Sequence, residues 1–218
     1  MLFHCISDTH NNLPEIPDGD VLIHAGDACV TGDSKETGDF VKKFSKYPHK
    51  WKIYTPGNHD RWAWDHTAEM VSTCKDYGIE MLIDRKITVE GLTIFASPWT
   101  RAFGWTRAFM YAPRDEKRAY SSLGRCSPSI DILVTHNPPN GYFDQCPHPE
   151  GSNELLWHIQ RIQPKYHVFG HIHEGHGCMR RAVWDDTGKT TVFANVARSQ
   201  PRSFQPVDDP IFTFELTV

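Results

Sequence analysis

Five short apolar runs in this 218-residue chain each end in side chains of metal-ligand type, and that placement constrains the fold more than any other feature. The endings are Asp8-Thr9-His10, Gly26-Asp27, Gly57-Asn58-His59-Asp60, Thr135-His136-Asn137 and Gly170-His171-Ile172-His173. The runs before them (Leu2 to Ile6, Val21 to Ala25, Lys52 to Thr55, Ile130 to Thr135 and Tyr166 to Phe169) have the length and composition of buried strands. In open α/β sheets, ligands bind in the crevice outside the carboxyl ends of the strands, so five such loops can converge on one mouth.

The donors are carboxylate, imidazole and one carboxamide, with no thiolate. Mixed oxygen and nitrogen sets suit Mn²⁺, Fe, Zn²⁺ or Ni²⁺ better than an oxygen-only Ca²⁺ cage. Two cations ~3.5–4 Å apart need a bridging ligand, and Asp27 is the candidate. Gly26, Gly57 and Gly170 beside the ligands allow close backbone approach that a Cβ would obstruct. Each motif alone is weak evidence, because a lone buried His is more often a satisfied core residue. His4, His24 and His167 lie inside the strand runs and read as core, while His49, His66, His148 and His158 read as surface or packing residues. All five motifs together carry the metal-site expectation.

Between the runs lie helix signals. Asp33 and Glu36 form a capping-box-like start, followed by Phe40, Val41, Phe44 and Tyr47 at helical spacing. Met70, Val71, Cys74 and Tyr77 repeat likewise, with Gly78 as a stop, and a third helix is expected from Ser152 or Asn153 to Ile162, ended by Pro164. Strands alternating with helices argue for an α/β core. Later strand-like segments (Ile87 to Val89, Leu92 to Ala96, Thr191 to Ala194, Ile211 to Leu216) are joined by turns such as Glu90-Gly91 and are expected to form a second sheet packed on the first. Residues 1–218 are read as one domain, with 97–129, rich in Arg and aromatics, as a cap or substrate loop.

Composition narrows the function classes. A net charge of −4 and pI near 6.3 give no basic stripe for a stable nucleic-acid partner. No stretch approaches the ~20 apolar residues of a membrane span, and the first residues lack a signal-peptide pattern. Six cysteines without a C-x-x-C pair read as reduced, mostly structural thiols, and a cytoplasmic location is expected.

The ordered set Asp8-x-His10, Gly26-Asp27, Gly57-Asn58-His59-Asp60, His136 and Gly170-His171-x-His173 resembles the signature of the calcineurin-like metallophosphoesterases. Within that superfamily the chain is similar to the small metallophosphoesterase-domain-containing branch, through Cys5 to His10, Asp20 to Asp27, Pro98-Trp99, Asp131 to Pro139, His167 to Gly175 and Gln205-Pro206. The resemblance implies a four-layer αββα sandwich, two mixed β-sheets flanked by helices. It also implies one metal on Asp8, His10, Asp27 and His173, and another on Asp27, Asn58, His136 and His171. His59 would act on the substrate, with Asp60 orienting it. Animal members of the branch usually carry Glu at the position of Asp60, and some lack the histidine matching His171.

The implied activity is that of a dinuclear-metal phosphoesterase, with Mn²⁺ the foremost metal and a bridging hydroxide as nucleophile. His59 would protonate the leaving alkoxide. A phosphodiesterase acting on a small-molecule phosphate ester is expected, including cyclic nucleotides and nucleotide-like diesters; a phosphomonoesterase is the alternative. Arg61, Arg101, Arg107, Trp99 and His176 are candidate substrate contacts, and Trp99, Phe103, Trp105, Phe109 and Tyr111 offer stacking surface. A Ser/Thr protein phosphatase would show Asp-Arg-Gly after the second motif, which is missing here. A non-catalytic scaffold would tend to lose the histidine at His59, which is present.

Overall fold

The computed structural model describes residues 1–102, 108–125, 130–145, 150–177, 179–184, 186 and 188–217. Its strands are β1 (Leu2–Ile6), β2 (Val21–Ala25), β3 (Trp51–Thr55), β4 (Ile79–Met81), β5 (Arg85–Val89), β6 (Leu92–Ser97), β7 (Thr100–Arg101), β8 (Met110–Tyr111), β9 (Ile132–Thr135), β10 (Tyr166–Phe169), β11 (Met179–Val183), β12 (Thr190–Asn195) and β13 (Phe212–Glu215). The α-helices are α1 (Ser34–Phe44), α2 (Arg61–Asp65), α3 (Thr67–Asp76), α4 (Glu116–Ala119), α5 (Ser121–Gly124) and α6 (Asn153–Ile162). Among the described residues no helix is long and apolar enough to cross a membrane.

Two large sheets form, in the orders β13-β1-β2-β3-β4 and β11-β12-β10-β9-β6-β5. Strand alternation sends successive side chains to opposite faces, and here the two faces enter different cores. Phe3, Cys5, Val21 and Ile23 meet Ile94, Ala96, Ile132 and Val168 between the sheets. Ile6, Leu22 and Tyr54 face outward onto Phe40, Val41 and Phe44 of α1 and Met70 and Cys74 of α3. On the far side Phe95, Leu133, Phe169 and Phe193 pack on Leu155, Ile159 and Ile162 of α6. Helix, sheet, sheet and helix are therefore stacked as the expected four-layer sandwich.

One expectation about strand placement is corrected. The 211–216 segment, read as part of the second sheet, supplies β13 of the first, antiparallel to β1. Phe214 stacks on Phe3 at 4.9 Å and on Tyr166 at 3.8 Å, which favours that edge. The strands read at Ile130 to Thr135 and Tyr166 to Phe169 belong to the second sheet, whose interior pairs β12-β10-β9-β6 are parallel. The β5–β6 hairpin turns at Glu90-Gly91, both at positive φ (46° and 89°), as a two-residue hairpin of that sequence requires.

Helix ends follow their sequence signals with one change. Asp33 caps α1, accepting from Glu36 N at 2.8 Å. Glu36 does not return the bond; its Oε2 accepts from the amides of Val30, Thr31 and Gly32 at 3.1, 2.8 and 2.9 Å. The carboxylate thus pins the loop after Asp27 to α1. Ser152 caps α6 by accepting from Leu155 N at 3.0 Å, and Gln163 takes the left-handed C-cap before Pro164.

Candidate metal centre

Parallel register between β1, β2 and β3 brings the loops carrying Asp8, Asp27 and Asn58 to one end of the first sheet, while β9 and β10 deliver His136 and His171 from the second. The sheets are joined at this end. Ser7 pairs with Ala197 in an isolated parallel bridge, and Ser7 N donates to Val196 O at 3.0 Å. Two groups of three ligand atoms result, Asp8/His10/His173 and Asp27/His136/His171, each with its atoms within 4.8 Å of one another and all six residues buried.

The backbone at these residues is unusual. Asp8, His10, Asp27 and His171 have φ of 51°, 40°, 56° and 69°, in the left-handed region that L residues other than Asn and Asp rarely adopt. Neighbouring loops hold them there: Asp8 N donates to Gly26 O at 2.8 Å, His10 N to Asp27 O at 3.2 Å, and His171 N to both Asp8 carboxylate oxygens at 3.0 and 3.1 Å. Gly57 and Gly170 sit so tightly that a Cβ would collide with Asp27 Oδ1 and Asp8 Oδ2 respectively, confirming the close approach expected there.

Ring tautomers make the donor set suitable for cations. His10 Nδ1 donates to Cys29 O at 2.8 Å and His173 Nδ1 to Gln200 O at 3.3 Å, so in the neutral rings both Nε2 atoms present lone pairs. Those Nε2 atoms lie 3.3 Å apart, and His173 Nε2 is 3.3 Å from Asp8 Oδ1. His136 repeats the arrangement: Nδ1 donates to Ala25 O at 2.9 Å, while Nε2 faces Asn58 Oδ1 at 3.1 Å and Asp27 Oδ1 at 3.3 Å. Converging lone pairs repel unless a proton or cation lies among them, and a carbonyl bond at the other ring nitrogen is the usual support of a metal-bound histidine.

Titration behaviour follows from the same crowding. Burial alone would lower His136, but the Asp27 carboxylate beside it raises it to about 9. Burial would raise Asp8 and Asp27, yet the facing imidazoles hold both below the ordinary carboxylate range. His171 falls to about 3 through burial and the neighbouring His136. A site that draws in positive charge this way is equipped to bind cations.

The remaining candidates separate by location. In the Gly57-Asn58-His59-Asp60 loop, Asn58 and Asp60 are buried and His59 is partly exposed. Its ring lies 4.9 Å from that of His10, and Nδ1 donates to Val30 O at 2.6 Å. The Val30 carbonyl, and not Asp60, accepts from this ring. Asp60 instead accepts from Gly57 N, Cys29 N and Ala28 N at 2.8, 3.1 and 3.3 Å, tying the Asp27 and Asn58 loops together. Burial and the Asp27 charge push it up to about 6.

Arg61 points outward, its side chain 73% exposed and 3.5 Å from Asp65. Trp99 donates through Nε1 to Asp84 at 2.7 Å and packs on Trp64 and Phe109, so its indole is engaged by the protein's own side chains. Arg101 is partly exposed in β7. Phe103, Trp105 and Arg107 lie outside the described residues. His176 donates from one nitrogen to His173 O at 3.0 Å, has Asp209 at 3.0 Å from Nε2, and lines a cavity of about 560 Å³ with Arg198. Sequence reasoning missed Phe204, whose ring centroid lies 4.2 Å from His10 and 5.5 Å from His59, and Gln200, which holds His173. Neither stands next to a ligand motif, and only the return of the chain before β13 brings them here.

Comparison with known proteins agrees with this geometry. The chain is similar to metallophosphoesterase domain-containing protein 1 of Homo sapiens, 35% identical over 237 residues, covering 96% of this chain and 69% of the relative. A UPF0046 protein of Caenorhabditis elegans is 36% identical over 214 residues, covering 89% of this chain and 68% of the relative. A solved crystal structure superposes with a TM-score of 0.61 over 89% of each chain at 14% identity, a likeness of fold. The model of the calcineurin-like phosphoesterases matches residues 1–175, which include all five ligand loops, and the chain belongs to that family.

Proposed function

We propose that the protein is a dinuclear-metal phosphoesterase that prefers diesters, with Asp8, His10, Asp27 and His173 on one cation and Asp27, Asn58, His136 and His171 on the other. The reading rests on one observation above the rest, the pair of buried three-ligand groups at the meeting edge of the two sheets. When bound, two divalent cations lower the pKa of a shared water toward ~7 and neutralise the phosphoryl oxygens during in-line attack. Mn²⁺ is the foremost candidate, with Fe, Zn²⁺ and Ni²⁺ as alternatives for the same nitrogen and oxygen donors.

The protein's own groups position the rest. His59 is held through Nδ1 on Val30 O, and in the imidazolium form its Nε2 would carry the proton given to the departing ester oxygen. Asp60 acts at one remove, fixing the backbone from which Asp27, Asn58 and His59 project. A diester carries one charge fewer than a monoester dianion and needs fewer cationic side chains. The Arg attached to a ligand motif, Arg61, is turned to Asp65, which fits a diester. We infer a small-molecule phosphate ester as substrate, 97–129 as a cap and a reducing, cytoplasmic setting; Cys5, Cys29 and Cys74, buried free thiols, are consistent with that setting.

The test is to strip the protein of metal, reload it with each divalent ion, and measure kcat/KM for bis(4-nitrophenyl) phosphate, 4-nitrophenyl phosphate, and 2′,3′- and 3′,5′-cyclic nucleotides. Activity should return with metal, diesters should exceed the monoester, and Asp27→Ala should lose metal and activity together. Full activity in metal-free protein refutes the dinuclear reading, and a monoester excess refutes the diester preference alone.

A further inference from the structure

We propose that Phe204 is a specificity-determining platform for a flat, uncharged aromatic leaving group on the phosphate ester, an inference that rests on the phosphoesterase reading above. The ring lies over one ligand group, with centroids 4.2 Å from His10 and 6.0 Å from His173. It also stands 5.5 Å from His59 at 72°, beside the residue that serves the leaving oxygen. Whatever is attached to that oxygen therefore emerges next to a partly exposed phenyl ring. An apolar aromatic face adds nothing to the binding of a phosphate or a short alkyl group, whereas a flat ring gains stacking contact on it.

The placement of Phe204 is imposed by its loop. Ser199 and Pro206 form an antiparallel bridge, and Gln200 N donates to Gln205 O at 2.7 Å, closing a tight hairpin. At its tip Arg202 and Phe204 take φ of 64° and 54°. A bulky residue is an outlier there, and such backbone persists only where its surroundings over-determine it, most often at ligand sites. The hairpin is also fastened to the ligands themselves, since Gln200 O accepts from His173 Nδ1 at 3.3 Å and Ser199 Oγ donates to Asp8 O at 2.6 Å. The stacking surface expected at Trp99 falls instead to Phe204, because the Trp99 indole is engaged with Asp84, Trp64 and Phe109.

Two phosphonates that cannot be hydrolysed separate stacking from metal binding. Benzylphosphonate copies a phenyl phosphate with CH₂ in place of the ester oxygen, and ethylphosphonate keeps the head group without the ring. Titration calorimetry of Mn²⁺-loaded protein should give benzylphosphonate a roughly 10-fold tighter Kd, in line with aromatic stacking measured by truncation. In Phe204→Ala that preference should fall close to unity with the ethylphosphonate Kd and the metal content unchanged, and Phe204→Trp should keep it. Equal binding of both ligands to the native protein, or an equal loss for both in Phe204→Ala, overturns the platform while leaving the metal centre standing. Failure of both phosphonates to bind in a metal-dependent way overturns both inferences.

Discussion

Replacing His167 by Gln should flatten the acid side of the protein's stability curve. His167 lies in β10, fully buried among Phe169 and Phe193, with ring centroids 4.8 and 5.7 Å away. Its Nε2 is 2.8 Å from Thr135 Oγ1, and that hydroxyl already donates to Asn137 O at 2.7 Å, so the imidazole must be the donor at Nε2. Nδ1 is buried without a hydrogen-bond partner, and protonation would set a charged N–H in an apolar wall. Burial accordingly lowers the pKa from 6.5 to about 3. The folded value is depressed, so the unfolded chain binds more protons in between. The stability contribution is complete above pH 6.5 and is lost as pH falls through that window toward 3. At pH 5 the loss is about 2 kcal/mol for this one group. Gln can keep a donor toward Thr135 and cannot titrate. Urea unfolding in chelator from pH 8 to 5 should therefore show the native protein losing about 2 kcal/mol more than the variant. Parallel curves, or a native protein gaining on the variant at low pH, would refute this account of the buried imidazole.

Two further substitutions test the site. His59→Ala should leave metal content unchanged and lower turnover ~10²–10⁴-fold on alkyl esters, where the leaving oxygen needs a proton. Nitrophenyl esters should lose less, and equal losses on both would count against the proton-donor role. Asp60→Ala removes the acceptor of three loop amides, each costing ~1–3 kcal/mol when left unpaired. It should destabilise the protein by at least ~3 kcal/mol in urea unfolding and weaken Mn²⁺ binding. A stable variant with normal metal affinity and a defect confined to His59-dependent turnover would restore Asp60 to the orienting role.

The layers of the fold were legible because burial imposes periodicity. Strands closed in on both faces read as short unbroken apolar runs, and α1, α3 and α6 repeat apolar residues at helical spacing. Sheet membership was not legible in the same way. The 211–216 segment looks no different whether it closes one sheet or the other, and its partner was set by Phe214 meeting Phe3 and Tyr166, contacts between the two ends of the chain and its middle. Among the missed strands, β4 has only three residues and β11 is rich in Arg, so neither presents an apolar run.

The candidate ligands could be found because cation chemistry restricts residue type, and each stands within four residues of a strand's end. The groups that aim them carry no such mark. Backbone carbonyls at Ala25, Cys29, Val30 and Gln200 hold four imidazoles, and any residue can supply a carbonyl. Positive φ at Asp8, His10, Asp27 and His171 is equally invisible, since Asp and His tolerate that region without requiring it. Asp60 shows the consequence. Its place after His59 suggested an orienting carboxylate, yet folding buries it beneath the loop, where amides of Ala28, Cys29 and Gly57 converge on it. A carboxylate beside a histidine in sequence is free to turn either way, and three amide donors in a dry site outweigh one imidazole that a carbonyl already holds.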